Sequence, residues 1–194
     1  MEKTENAVRS RLLEAGMEEF RDRGFLKASL RAICKKADVT TGALYFFFES
    51  KAALFEEIVE ETADDLKRIM REFTDQEKQL HSEEYDRILM EFIWENRDIA
   101  KILIDGAEGT RYENFREAAC TEMEQILNER FQEECGQKAD HELVHILVQM
   151  KFQGYCELLR GNCSREKLLE ISRILQICSS QSLLAIEAEL NRKQ

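Results

Sequence analysis

Proline is absent from this chain, and glycine occurs only 8 times in 194 residues. Proline breaks helix interiors because it lacks an N–H and its ring clashes with the preceding turn, and glycine weakens them. Without these breakers, long uninterrupted helices are possible. No apolar run approaches the ~20 residues needed to cross a bilayer. The opening MEKTENAVRSR holds no apolar core of a secretory signal. A cytoplasmic protein with no membrane partner is therefore expected. The six cysteines, Cys34, Cys120, Cys135, Cys156, Cys163 and Cys178, form no CxxC pair and no metal-ligand spacing. Reduced thiols acting as small apolar fillers are expected, with Cys135 and Cys163 nearest to predicted helix ends. Charged residues make up 35% and hydrophobic ones 43%, which excludes a disordered chain.

What is present is organised around Ser29 to Lys51, SLRAICKKADVTTGALYFFFESK. Ser29 and Thr40 each stand where a hydroxyl can accept an unpartnered N–H of a first helical turn. Between them, Ala37 is small enough for two helices to approach, Asp38 tolerates a left-handed turn and Val39 can plug the crease. Ile33, Val39 and Leu44 would be the buried contacts. The spacing predicts helices over Leu30–Lys36 and Thr41–Phe47, a helix-turn-helix whose second helix suits the major groove of DNA. A preceding helix from about Glu5 should stop at Gly24, and Ser50 should cap a long helix that follows.

On Gly24-Phe25, Ser29, Ile33, Ala37, Val39, Leu44, Tyr45, Phe48, Lys51 and Leu54, the stretch resembles the DNA-binding signature of the TetR family of bacterial transcriptional regulators. The resemblance covers about fifty residues; beyond them the likeness is architectural. It implies an all-α fold: a helix-turn-helix DNA-binding domain over 1–49, joined by a long helix to a ligand-binding and dimerisation domain over 50–194, with about nine helices. It implies a homodimeric repressor that binds a palindromic double-stranded DNA operator and is released by a small, mostly apolar inducer. No enzyme activity and no cofactor are expected. The candidate DNA-contacting residues are Arg31, Thr40, Thr41, Gly42, Ala43, Tyr45, Phe46 and Lys51; of these, Tyr45 and Lys51 match the family's phosphate-contacting residues, and the others are candidates by their own chemistry. Phe46 and Phe47 depart from the family, which often has His or Tyr there. Phenylalanine offers only stacking and methyl contact.

The net charge of −11 is unevenly distributed. Residues 1–55 hold ten Lys or Arg against eight Asp or Glu, a surplus of +2, which leaves −13 for the rest. A mildly basic head on an acidic body can meet phosphate while discouraging nonspecific contact.

In the remaining chain, Thr110 and Glu113 read as a T-x-x-E capping box opening a helix that ends at Gly136. Asp140 and Ser164 should cap two helices, near 140–160 and 164–190, that are apolar almost all round. Pairing with their copies across a two-fold axis would cover the extra faces. Candidate ligand-binding residues are Phe92, Asn96, Tyr112, Met123, Gln149, Phe152 and Tyr155. His141-Glu142-Leu143-Val144-His145 matches HExxH, the pattern of zinc proteases, but no third ligand stands out. The alternative to a DNA-binding regulator is a helical ligand-binding or protein-interaction module without DNA binding.

Overall fold

A computed structural model describes residues 2–76, 82–135 and 140–192. Among the described residues the chain is all-α, with nine helices and no strand. They are α1 (Glu2–Lys27), α2 (Leu30–Lys36), α3 (Thr41–Phe47), α4 (Lys51–Gln76), α5 (Ser82–Glu95), α6 (Arg97–Asp105), α7 (Phe115–Cys135), α8 (His141–Arg160) and α9 (Arg165–Arg192). Gly136, expected as a helix stop, and the Cys135 side chain lie outside the described residues.

The helix ends follow from local chemistry. Ser29 accepts the Ala32 N–H at 3.4 Å, Thr40 that of Ala43 at 3.2 Å and Ser50 that of Ala53 at 3.0 Å. Asp140 accepts from Leu143 at 3.0 Å and Ser164 from Lys167 at 3.2 Å. Each cap satisfies a first-turn donor, worth about 1 kcal/mol. Gly24 interrupts α1 with φ 68° and ψ 165°, a region essentially closed to other residues.

The opening of α7 differs from the expected capping box. Residues 107–114 form turns, and the helix begins only at Phe115. The Thr110 hydroxyl accepts from Tyr112 N–H at 3.1 Å and donates to the Ala107 carbonyl at 2.7 Å, while Glu113 accepts from Gly109 N–H at 3.3 Å. The same residue types thus tie a turn instead of a helix start.

Two compact units emerge. Unit 1 comprises Met1–Asp65 and Asn96–Arg116; unit 2 comprises Leu66–Glu95 and Glu117–Gln194. The head expected over 1–49 falls within unit 1, together with the first half of α4 and all of α6.

In unit 1, Leu12, Phe20, Ile33, Leu44, Leu54, Phe55 and Val59 are fully buried. Phe55 meets Phe20 and Phe25 edge-on, with ring centroids 5.0 and 5.3 Å apart. α1 also meets α6 backbone to backbone: the Phe25 N–H donates to the Gly106 carbonyl at 2.7 Å. A Cβ on Gly106 would lie 3.3 Å from the Gly24 Cα, so glycine at both positions allows the approach. An Arg21–Asp98 ion pair at 3.0 Å flanks this joint, and hydrogen bonds to Asp22 and then to Asp98 hold the guanidinium pKa above its ordinary value.

Unit 2 holds two apolar clusters. Cys120, Phe131, Val144 and Val148 gather Met123, Leu127 and Phe152 around them. Met90, Tyr155 and Leu168 gather residues of α5, α8 and α9, including Ile93, Trp94 and Leu175. A buried polar group lies among the same three helices. Lys151 Nζ sits 3.4 Å from the Asp86 carboxylate and donates to Gln176 Oε1, while the Tyr155 hydroxyl donates to Asp86 at 3.2 Å. Burial pushes the Asp86 carboxyl above its ordinary pKa, against the pull of Lys151 and Tyr155.

Candidate nucleic-acid interface

The turn between α2 and α3 is set by three residues. Asp38 takes φ 54°, the left-handed conformation its short polar side chain tolerates. The Val39 N–H donates to the Cys34 carbonyl at 3.0 Å. Ala37 is buried, so nothing holds the two helices apart. Ile33 and Leu44 are buried as expected, and Val39 is half-buried. One face of α3 is thereby fixed to the core through Leu44, whose burial contributes ~1.5–3 kcal/mol.

The opposite face is open. Thr41, Gly42, Tyr45 and Phe46 are exposed, while Ala43 and Phe47 are half-buried. Residues four apart share a helix face. Thr41 and Tyr45 therefore form one line of hydroxyls, and Gly42 and Phe46 a parallel line without hydrogen-bonding side chains. A Cβ added to Gly42 would meet only the Thr40 hydroxyl, at 3.8 Å. Packing within the chain does not require glycine there. Thr40 uses its oxygen to cap α3 but keeps its own hydrogen to donate. On α2 the Arg31 guanidinium is exposed and has no hydrogen-bond or ion-pair partner among the described residues.

Lys51 is placed differently. Its Nζ donates to the carbonyls of Phe25, Leu26 and Ala28 at 2.7, 3.3 and 3.2 Å and lies 4.5 Å from the Phe25 ring centroid. An ammonium has three hydrogens, and all three are directed at the chain leaving α1. The phosphate contact expected of this side chain is a separate matter; within the chain it clamps the start of α4 to the end of α1. A readable signal existed, because a cation at the first residue of a helix opposes the macrodipole and calls for a local partner.

Residues 12–58 match the family described as "Bacterial regulatory proteins, tetR family". Those residues therefore resemble the DNA-binding segment of that family. The matched segment contains α2, α3 and the Lys51 clamp. Over 78 residues it is 36% identical to the HTH-type transcriptional regulator UidR of Escherichia coli, covering 40% of this chain and 38% of UidR. Over 104 residues it is 35% identical to the uncharacterized HTH-type transcriptional regulator YdgC of Bacillus subtilis, covering 48% of this chain and 51% of YdgC. The chain thus spans about half or less of the curated relatives it matches. A crystal structure of a transcriptional regulator (TerR/AcrR family) from Aquifex aeolicus shares the fold, with TM-score 0.61 and 22% identity over 86% of this chain and 95% of that one.

The seven candidate ligand-binding residues are divided between the two units. Asn96 and Tyr112 belong to unit 1, where Asn96 Oδ1 accepts from the Thr62 hydroxyl at 3.4 Å and Tyr112 Oη accepts from Arg111 at 2.8 Å. Met123 and Phe152 join the same apolar cluster of unit 2, whereas Tyr155 belongs to the other cluster and donates to Asp86. Phe92 and Gln149 are half-buried in unit 2. Of the HExxH pattern, His145 is exposed and its Nδ1 lies 2.7 Å from Glu124 Oε1. Among the described residues no group of three His, Cys, Asp or Glu could hold a metal ion.

The Asp86–Lys151–Gln176–Tyr155 group escaped sequence reasoning, although its signal was there. Val144, Val148, Lys151, Tyr155 and Leu159 recur at three- and four-residue spacing, so Lys151 stands on an inward stripe. A charge on such a stripe calls for a buried partner.

Proposed function

We propose that this chain is a homodimeric transcriptional repressor that binds a palindromic DNA operator and releases it when a small, mostly apolar ligand binds. The observation that carries the reading is the open face of α3, displayed on a helix-turn-helix that Asp38 and Leu44 hold rigid. The family and the curated relatives support it through the same segment. Thr40, Thr41 and Tyr45 supply hydroxyls to phosphate or base edges, Arg31 a guanidinium, and Gly42, Ala43 and Phe46 close apolar approach. Lys51 acts by holding the corner that presents α3.

Dimerisation through α8 and α9 is supported by large apolar side chains left open on unit 2: Ile146 and Met150 one turn apart on α8, and Ile174 on α9. Met150 is 68% exposed. A two-fold pair would cover these side chains and space two α3 helices for two half-sites. For the ligand, Met123 and Phe152 with neighbouring Gln149 offer the apolar and polar lining within unit 2; Phe92, Asn96, Tyr112 and Tyr155 are the remaining candidates.

Selection of sites from random DNA by the purified full-length protein tests the reading. Enrichment of a palindrome, with affinity lost at least tenfold in Tyr45→Ala and folding intact, is the expected result. Enrichment of nothing at moderate salt would favour a ligand-binding or protein-interaction module without DNA binding.

A further inference from the structure

α3 reads TGALYFF, so it carries no Lys, Arg, Asn, Gln, Asp, Glu or His. Those side chains make the paired donor and acceptor contacts that identify guanine, adenine and cytosine in the major groove. What α3 offers instead is a hydroxyl line and the Gly42–Phe46 line beside it. Phe46 is 73% exposed, more than any other large hydrophobic residue among the described residues. Leaving a phenyl ring in water is unfavourable, and nothing in the fold compels it. The ring is held rather than loose: Phe47 meets it edge-on, with centroids 5.0 Å apart and planes at 89°. One turn before it, Gly42 leaves a notch that its own chain does not fill. A protruding apolar knob beside a notch suits an apolar knob on the partner. Among base edges in the major groove, only thymine presents one, its C5-methyl group.

We propose that Phe46 is a specificity-determining residue that selects thymine in each half-site by burying the C5-methyl group against its ring. The proposal rests on the DNA-binding reading above. The hydroxyls of Thr41 and Tyr45 then set position on the backbone, while Phe46 reads sequence without a hydrogen bond. Burying one methyl-sized group changes affinity by about fourfold, hence about fifteenfold for two half-sites.

The experiment uses the full-length protein and the palindrome it selects from random DNA. Each thymine is replaced in turn by uracil, which lacks the methyl but pairs identically. At one symmetric position, uracil should weaken binding about fifteenfold when placed in both half-sites. A G·C pair carrying 5-methylcytosine at that position should recover part of the loss relative to unmodified cytosine. In Phe46→Ala, whose exposed position leaves folding intact, thymine and uracil should bind alike. Phe46→Asn, which introduces an amide suited to adenine, should shift the preferred base there. If uracil is tolerated at every position, or if its penalty persists in Phe46→Ala, the assignment to Phe46 is overturned while DNA binding stands. If no palindrome is selected at all, the DNA-binding reading falls and takes this inference with it.

Discussion

Lys51 in unit 1 and Lys151 in unit 2 both turn inward, and the two lysines do different work. In unit 1, Lys51 caps three backbone carbonyls that are 23 to 26 residues away in sequence and closes a corner of the head. In unit 2, Lys151 faces a carboxylate 65 residues away that is itself 4% exposed, and bridges three helices through Asp86 and Gln176. A carbonyl that loses its partner near the surface can turn to water. A buried carboxylate cannot, so its lysine is the harder of the two to remove. The head therefore owes its geometry to capped backbone, and unit 2 to a charge pair whose members need each other.

The most severe test removes Lys151. Lys151→Met should destabilise the protein by about 3–5 kcal/mol in denaturant unfolding, because Asp86 stays buried without its cation. Adding Asp86→Asn should recover most of that loss, and a double variant no better than the single one would break the comparison. The effect should depend on pH. Burial already raises the Asp86 pKa above the ordinary 3.8, so the folded chain binds the proton more tightly than the unfolded one. Stability from this group therefore increases as pH falls through the folded value and levels off below 3.8. Lys151→Met should accordingly lose least near pH 4 and most at neutral pH.

Lys51→Met should cost less, about 2–3 kcal/mol, since its three partners are uncharged and partly reachable by water. It should also weaken operator binding, yet leave the slope of log affinity against log salt unchanged. A lysine on phosphate contributes roughly one unit to that slope, so a slope reduced by that amount in each protomer would show Lys51 on DNA after all. Gly24→Ala should cost about 2 kcal/mol by thermal unfolding, because φ 68° with ψ 165° strains any side chain. Thr40→Ala should cost about 1 kcal/mol through the lost cap. Gly42→Ala should leave stability within a few tenths of a kcal/mol or slightly raised, since space is open there, while weakening operator binding.

Helices were legible wherever their ends carry local signals. α2 and α3 run over the residues expected from Ser29, Thr40 and Asp38, and α8 starts at Asp140 and stops before Gly161. Thr110 and Glu113 misled because a T-x-x-E pattern specifies hydrogen-bonding capacity, and a turn can use that capacity as fully as a helix. The outward residues of α3 were also readable, since one buried Leu44 on a short helix fixes which face remains open. The ligand-binding set was the least readable part. Apolar residues with scattered polar ones describe a core as well as a cavity, and Asn96 and Tyr155 are both engaged by partners within their own units.

By itself the sequence determined most of the helices, the caps at Ser29, Thr40, Ser50, Asp140 and Ser164, the left-handed turn at Asp38 and the apolar outward line of α3. All of these depend on interactions within about four residues, which the order of side chains specifies directly. Only the tertiary structure decided where the two lysines point, that Gly24 meets Gly106, and that Asp86 is buried beside Lys151 and Tyr155. Those pairings join residues 23 to 82 positions apart, and a side chain's partner at that range depends on how the helices pack.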